Sequence, residues 1–193
     1  MVQVIIRGVK LMDINGMMQV NCKNLPENYD IGFWKNVFCM EEGKQHSFVA
    51  EYCNELIGYI FANKDTIISF AINEPFRHFG IGKELLMHCL NTYSSDVILH
   101  VRISNKIALN LYKKYDFTID LLEEKYYGDE DGYQMIHKYN KKKYPEKKRL
   151  NIIYTKSQNN TQNNSVEFIE SRNDITADQL HTILNSCDCK HDH

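Results

Sequence analysis

The sequence predicts one mixed α/β domain with the element order βααβββαβαββ, followed by a polar tail. Three observations carry this reading. Short β-rich runs and amphipathic helical stretches alternate up to residue 138. The helical stretch 80–93 lies between two apolar runs, 66–72 and 96–102, so these two strands run parallel and are joined by a right-handed crossover. Past residue 138 the apolar periodicity stops and Lys, Asn and Gln take over. With 193 residues, 43% hydrophobic and 25% charged, the chain has the make-up of a globular domain rather than a coiled coil, a collagen or a disordered polymer.

Residues 3–9 read as a strand, and 13–23 place Ile14, Met17 and Val20 on one face of a helix. Leu25-Pro26-Glu27-Asn28-Tyr29 is a turn whose proline fixes the backbone, and a second helix follows over 30–39. Two β-rich runs, 47–52 and 56–63, are separated by Cys53-Asn54-Glu55 at hairpin spacing. The run 66–72 is more continuously apolar, the mark of a strand buried on both faces. Helix 80–93 turns Ile81, Leu85, Leu86 and Cys89 inward before the strand 96–102. Ser104 is placed to cap a helix over 105–115 with Ala108, Leu111 and Tyr112 inward, and 117–123 with 132–138 form a closing strand pair.

Charge divides where the periodicity stops: residues 1–137 hold 13 Lys/Arg against 18 Asp/Glu, and 138–193 hold 10 against 7. A folded domain over 1–139 and a largely disordered tail over 140–193 follow from this. The tail opens with a basic segment, 138–149, and passes through the Asn/Gln-rich tract 157–165, which has too little apolar surface to order itself. It closes with a short amphipathic stretch, 175–185, where Thr176 and Gln179 suit a capping box. The apolar runs 56–62 and 67–72 are far shorter than the roughly 20 residues of a membrane helix, and Met1–Arg7 lacks the apolar centre of a secretory leader. A cytoplasmic chain is expected, with the basic segment as a nuclear targeting patch or a ribosome contact and no sequence-specific nucleic-acid binding. Cys22, Cys39, Cys53 and Cys89 sit in apolar segments and read as reduced core thiols. Cys187, Cys189, His191 and His193 alternate more closely than the ligands of structural zinc sites, so no metal is expected.

The densest chemical signal is Arg77-His78-Phe79-Gly80-Ile81-Gly82-Lys83, an R-x-x-G-x-G turn between a strand and a helix N-terminus. Uncapped first-turn amides and the helix dipole favour an anion there, and glycines let the backbone approach a phosphate. The P-loop pattern fails because Lys83 is followed by Glu84, and the dinucleotide pattern fails because its third glycine falls at Leu85.

Together with the strand 67–72, the segment Leu99-His100-Val101-Arg102-Ile103-Ser104-Asn105 with Ala108 and Leu111-Tyr112, the turn Leu25–Tyr29, and the run Lys125–Met135, this motif resembles the GNAT acetyltransferases. Among them, the four motifs in this order are similar to the catalytic subunit of the NatA-type N-terminal acetyltransferases, over roughly residues 3–138. The resemblance implies the GNAT fold with a splayed central parallel strand pair. It also implies acetyl-CoA as cosubstrate, protein N-termini as acceptors, and a large helical auxiliary subunit docked on the first two helices.

The resemblance implies site residues as well. The diphosphate of acetyl-CoA would rest on the segment Arg77, His78, Phe79, Gly80, Ile81, Gly82 and Lys83, with Arg77 adding a cation. Backbone groups of Phe70, Ala71 and Ile72 would bind the pantetheine arm as an added strand, a backbone amide near Ile72 polarising the thioester carbonyl. Asn105, Ala108 and Tyr112 would flank the departing thiolate, Tyr112 as a proton donor. Glu27 would work on the substrate amine, with Leu25 and Tyr29 lining the first side-chain pocket and Arg102 orienting its substrate end. Tyr126, Tyr127 and Tyr133 would hold the peptide backbone, Tyr127 and Tyr133 foremost. His100 has two readings, a base acting directly or through water and a core histidine facing the other layer.

An α-amine of pKa about 7.7–8.0 needs only a modest base and no cysteine nucleophile, so direct transfer in a ternary complex is expected. The monomer is expected to prefer acidic N-termini and the complex Ser, Ala, Thr, Gly or Val. The family's longer loop before the strand 66–72 is here only Lys64-Asp65, which alters the substrate-side wall. Two other acceptor classes stay open, namely lysine side chains and small amines, as does a non-catalytic CoA-binding interaction subunit.

Overall fold

The computed structural model describes residues 2–39, 44–141, 144–145 and 149–152. In chain order they form β1 (Val2–Gly8), a 3-10 turn (Leu11–Asp13), α1 (Ile14–Asn24), α2 (Ile31–Cys39), β2 (Phe48–Tyr52), β3 (Glu55–Ala62) and β4 (Thr66–Ile72). A second 3-10 turn (Glu74–Phe76), α3 (Ile81–Leu90), β5 (Val97–Arg102), α4 (Lys106–Lys114), β6 (Phe117–Glu123), β7 (Gly132–His137) and β8 (Arg149–Ile152) complete the set. The strands make one sheet ordered β6-β7-β5-β4-β3-β2-β1-β8, in which β4 and β5 are the parallel pair. No helix among the described residues is long and apolar enough to cross a membrane.

Helices cover both faces. On one, Met17 and Val20 of α1 with Trp34, Val37 and Phe38 of α2 pack on Val49, Tyr59 and Phe61. On the other, Ile81, Leu85 and Leu86 of α3 with Leu109 and Tyr112 of α4 pack on Ile57, Ile60, Leu99 and Val101. The strand buried on both faces is therefore β3, whose last six residues are all buried, and not β4 as its apolar run suggested. In β4, Ile68, Phe70 and Ile72 are only half-buried. The reason is a gap beside them: β4 and β5 pair only at Thr66 with Ile98 and Ile67 with Leu99. The register against β3 steps from Ala62/Ile67 to Phe61/Ser69, making Ile68 an extra, bulged residue. Bulges bend and twist the strand that carries them, and here the bend turns β4 away from β5.

Three smaller expectations change. The β2–β3 hairpin turns on two residues, Cys53 (φ 47) and Asn54 (φ 65), the doubly left-handed turn that matches strand twist. Of the four cysteines expected in the core only Cys89 is buried; Cys22, Cys39 and Cys53 are exposed on helix or turn surfaces. The cap of α4 is Asn105, whose carboxamide oxygen accepts the Ala108 N–H at 3.1 Å, rather than Ser104.

The folded unit also runs past residue 139. β8 pairs antiparallel with β1, Leu150 opposite Val4, and Leu150 packs on the core. Upstream, the buried Tyr144 is clasped by Asn91, which donates to its carbonyl (2.8 Å) and accepts its N–H (2.7 Å). Composition hid this because one tyrosine and a four-residue strand sit among lysines. The tract 157–165, the stretch 175–185 and the terminal Cys/His cluster lie outside the described residues.

At the β1 edge Arg7 makes two bonds to Asp13 (2.7 and 2.9 Å) and one to Glu51 (2.7 Å). Burial alone would raise the Asp13 pKa, but the bonds from Arg7 and the Lys10 amide outweigh it and hold the carboxyl below its usual value. A depressed folded-state pKa contributes stability that is present above about 3.9 and lost as pH falls through the folded value. Asp13→Asn should lower unfolding free energy by about 2 kcal/mol at pH 7, and the gap in urea midpoint from wild type should close below about pH 4. A gap that persists at pH 2 would contradict this.

Candidate active site

The gap between β4 and β5 opens into a cavity of about 430 Å³ that passes through the sheet. On the α4 side it is lined by Phe70, Asn105, Ala108 and Tyr112; on the α1–α2 side by Leu25, Glu27, Tyr29, His100, Arg102, Tyr126 and Tyr127. The two ends offer different chemistry.

The α4-side end continues along the open edge of β4 to the turn before α3. The Asn73 N–H donates to the Ile57 carbonyl (2.8 Å), making that a hydrogen-bonded pair of the β3–β4 ladder. By alternation Ala71 and Ser69 also bond to β3, while Phe70 and Ile72 direct their N–H and C=O into the gap. Ala71 therefore has no backbone group to offer there. The Ile72 carbonyl is taken by Arg77 Nε (3.0 Å). Free for an extended ligand are both groups of Phe70 and the amide of Ile72, and only Phe70 lines the cavity, so it replaces Ile72 as the candidate oxyanion donor.

At the turn, Gly80 has φ +80 with open space around its missing Cβ, whereas a Cβ on Gly82 would make ordinary contacts. The conformation obliges a glycine at Gly80 alone. No side chain caps α3, whose 10 residues begin at Ile81, so the first-turn amides face outward beside exposed Lys83. His78 is exposed with φ 69, and Phe79 packs on the core. Arg77 does not present its charge to the turn as expected; its Nη2 donates to Asn24 Oδ1 of α1 at 2.7 Å.

At the α1–α2 end, Arg102 is the hub. Its Nε and Nη2 donate to Glu27 Oε1 (2.9 and 2.8 Å), and its Nη1 donates to Asp129 (3.0 Å) and Glu130 (3.1 Å). The guanidinium lies 4.5 Å over the Tyr127 ring. Ser104 and Arg102 hold the Glu130 carboxyl below its usual range. One cation thus fastens the α1–α2 turn to the β6–β7 hairpin, and the mouth carries more negative than positive charge. His100 faces this end, stacked on Tyr126 (4.2 Å, 5°) with Nε2 3.5 Å from Glu123.

Burial raises the Tyr127 pKa, with Glu27 and Tyr126 adding to it, and burial raises that of Tyr112. Both stay neutral phenols. A phenol so raised lies far above a thiol near 8.5, which makes Tyr112 a hydrogen-bond donor to a thiolate rather than a source of its proton.

Tyr133 is not brought to the cavity. It pairs with Val101 and packs on the α4-side core, because strand alternation gives the site face to the partners of His100 and Arg102, which are Gln134 and Gly132. The close approach falls instead to Tyr126 and Tyr127, which lie so near Gly132 that a Cβ there would stand 3.1 Å from each. Residues the sequence did not single out include Phe33 and Val37 of α2, which line the cavity, the bulged Ile68, and the carboxylates Glu123, Asp129 and Glu130. Acidic residues three apart from tyrosines in the run 123–131 were the available signal for the last group. Among the described residues no group of His, Cys, Asp or Glu could hold a metal ion.

The chain matches the model of the acetyltransferase (GNAT) family over residues 14–117. It is 37% identical over 152 residues to a protein of Sulfolobus acidocaldarius named N-alpha-acetyltransferase, covering 67% of this chain and 89% of that one. It is 36% identical over 146 residues to the N-terminal acetyltransferase complex ARD1 subunit homolog of Dictyostelium discoideum, covering 68% and 71%. Ard1 from Thermoplasma volcanium superposes with a TM-score of 0.66 at 26% identity, over 72% of this chain and 99% of that one. Arabidopsis thaliana Naa50, solved with the bisubstrate analogue CoA-Ac-MVNAL, shares the fold at a TM-score of 0.64 and 24% identity, over 70% and 99%.

Proposed function

The chain belongs to the acetyltransferase (GNAT) family as an N-alpha-acetyltransferase, and on that premise we propose that it acetylates the free α-amine of protein N-termini by direct transfer, as the catalytic subunit of a NatA-type complex. The observation that carries the reading is a cavity through the sheet, with an uncapped helix start and its glycine turn beyond one end, a carboxylate-rich mouth at the other and no cysteine in its described lining.

Acetyl-CoA, when bound, supplies the acyl group as an activated thioester. The residues present suit it: the left-handed Gly80 and uncapped α3 amides for a diphosphate, and the outward groups of Phe70 and Ile72 for an extended amide-bearing arm. Glu27 accepts from the substrate ammonium at the mouth, Tyr126 and Tyr127 hold the peptide backbone, and the Phe70 amide stabilises developing negative charge. His100 or Glu27, directly or through water, takes the proton that an amine of pKa near 8 readily gives. Gly80→Ala should raise the acetyl-CoA KM about tenfold, near 1.4 kcal/mol, with kcat little changed, because alanine resists the left-handed backbone. An unchanged KM would remove this turn from cofactor binding.

Exposed Leu11, Met12 and Ile31 at the starts of the α1 and α2 region support a docked auxiliary subunit there. A ribosome contact through 138–149, a cytoplasmic site of action and a nuclear pool are proposed with it. Arg102 is the only Lys or Arg in the cavity's described lining and is already matched by three carboxylates, which disfavours acidic first residues. Peptides beginning Ser or Ala should turn over at least tenfold faster than those beginning Asp or Glu, contrary to the preference expected of a monomer from resemblance; the reverse order would sink this. CoA release with these peptides, and with a blocked-α-amine peptide carrying an internal lysine, tests the whole reading. Turnover confined to free α-amines and lost in Glu27→Gln is expected. Turnover of the blocked peptide would instead indicate a lysine acetyltransferase, and none even with an auxiliary subunit a non-catalytic module.

A further inference from the structure

Two half-sites serve this cavity from different parts of the chain, and one polar cluster joins them. Asn24 is the last residue of α1, immediately before the turn that carries Leu25, Glu27 and Tyr29. Arg77 opens the glycine turn, three residues before Gly80. Arg77 Nη2 donates to Asn24 Oδ1 (2.7 Å), while Asn24 Nδ2 donates to Asn73 Oδ1 (2.8 Å) and the Val20 carbonyl (2.7 Å). Arg77 Nε closes the circuit on the Ile72 carbonyl at the open end of β4 (3.0 Å). These bonds span 53 residues of sequence between Asn24 and Arg77, and among the described residues no carboxylate meets the guanidinium.

We propose that Asn24 and Arg77 are positioning residues that couple the anion-binding turn to the substrate turn, so that acetyl-CoA and the N-terminal peptide each strengthen the other's binding. This rests on the acetyltransfer reading above. A planar guanidinium that bonds both α1 and the end of β4 ties the turn that carries it to two elements at once, and the Asn24 carboxamide has its oxygen and nitrogen both committed. Ordering the residues 77–82 around a diphosphate therefore orders Asn24 at the head of the turn, and Glu27 follows three residues later, its carbonyl and Asn28 held by Asn21 Nδ2 (2.6 and 2.9 Å), the Tyr29 carbonyl by Trp34 Nε1 (3.2 Å) and its own carboxylate by Arg102. Coupling between two binding sites is reciprocal and ranges over roughly 5- to 150-fold in affinity.

The test is calorimetry on the full chain with desulfo-CoA, which cannot transfer an acyl group, and a Ser-initiated peptide, each titrated with and without the other. Wild type should bind the peptide at least fivefold more tightly when desulfo-CoA is saturating. In Asn24→Ala each ligand alone should bind within twofold of wild type, the coupling should fall below twofold, and the peptide KM in turnover should rise by the lost factor at unchanged kcat. Arg77→Lys, which keeps the charge and loses the fork, should behave alike and guards against a folding defect in one variant. Coupling that survives in both variants, or is absent from wild type, overturns the proposal while leaving α-amine turnover intact. Failure of every free-α-amine peptide to turn over overturns the acetyltransfer reading, and the coupling with it.

Discussion

Arg102→Met is expected to lower kcat/KM for α-amine peptides by about 10²- to 10³-fold, roughly 3–4 kcal/mol of transition-state stabilisation, with the acetyl-CoA KM within twofold of wild type. Methionine fills the volume but leaves Glu27, Asp129 and Glu130 facing one another with no cation between them. Like charges at this separation drive the α1–α2 turn and the β6–β7 hairpin apart, so the mouth loses its geometry while the turn before α3 is untouched. Arg102→Lys restores a point charge without the fork and should recover about a tenth of wild-type activity. The pH dependence has a definite sign. The Glu130 carboxyl has a depressed pKa in the wild type, so the stability it contributes is present above the usual carboxylate value and lost as pH falls. In the variant Glu130 loses the Arg102 bond that helps to depress its pKa, so the stability gap between the two proteins should narrow from pH 7.5 to pH 4. Steady-state kinetics and urea unfolding across that range check both statements; a parallel rise in the acetyl-CoA KM would show that Arg102 serves the whole sheet rather than the mouth.

Trp34→Ala should cost about 3–5 kcal/mol of unfolding free energy, the range for deleting a fully buried large aromatic. Trp34 has no exposed surface, meets Tyr59 edge-on (5.6 Å) and Phe61 (4.9 Å), and donates through Nε1 to the Tyr29 carbonyl at 3.2 Å. It is the pin by which α2 holds the substrate-side wall to the sheet, since Tyr29 stacks on Phe33 at 4.3 Å and both line the cavity. The peptide KM should therefore rise together with the loss of stability, and Trp34→Phe should lose only 1–2 kcal/mol with a near-normal KM. Trp34 is the only tryptophan, so fluorescence follows wild-type unfolding and circular dichroism follows both. A loss below 1 kcal/mol would show that the wall stands without its pin.

Much of the fold was legible because local patterns dictate it. The run 66–72 and a helix following the glycine turn are visible in periodicity, although the helix expected from residue 80 opens at Ile81, because Gly80 takes the left-handed backbone of the cap. The bulge at Ile68 was not legible, since one extra residue in a strand leaves no mark in an apolar run. Nor was the sheet edge closed by β8, which few apolar residues announce and only pairing with β1 stabilises.

The site divides along the same line. By itself the sequence determined which chemical groups are present and roughly in what order, namely a glycine-rich turn before a helix, a proline-held carboxylate, a histidine and an arginine on one strand, and a tyrosine-rich hairpin. Only the tertiary structure decided which of them meet. It committed Arg77 to Asn24, turned Tyr133 to the far face and gathered Glu27, Asp129 and Glu130 around Arg102. The physical reason is that residue type sets what a group can do, whereas its neighbours depend on strand register and on the direction of each alternate side chain. A bulge or a one-residue shift changes these without changing composition.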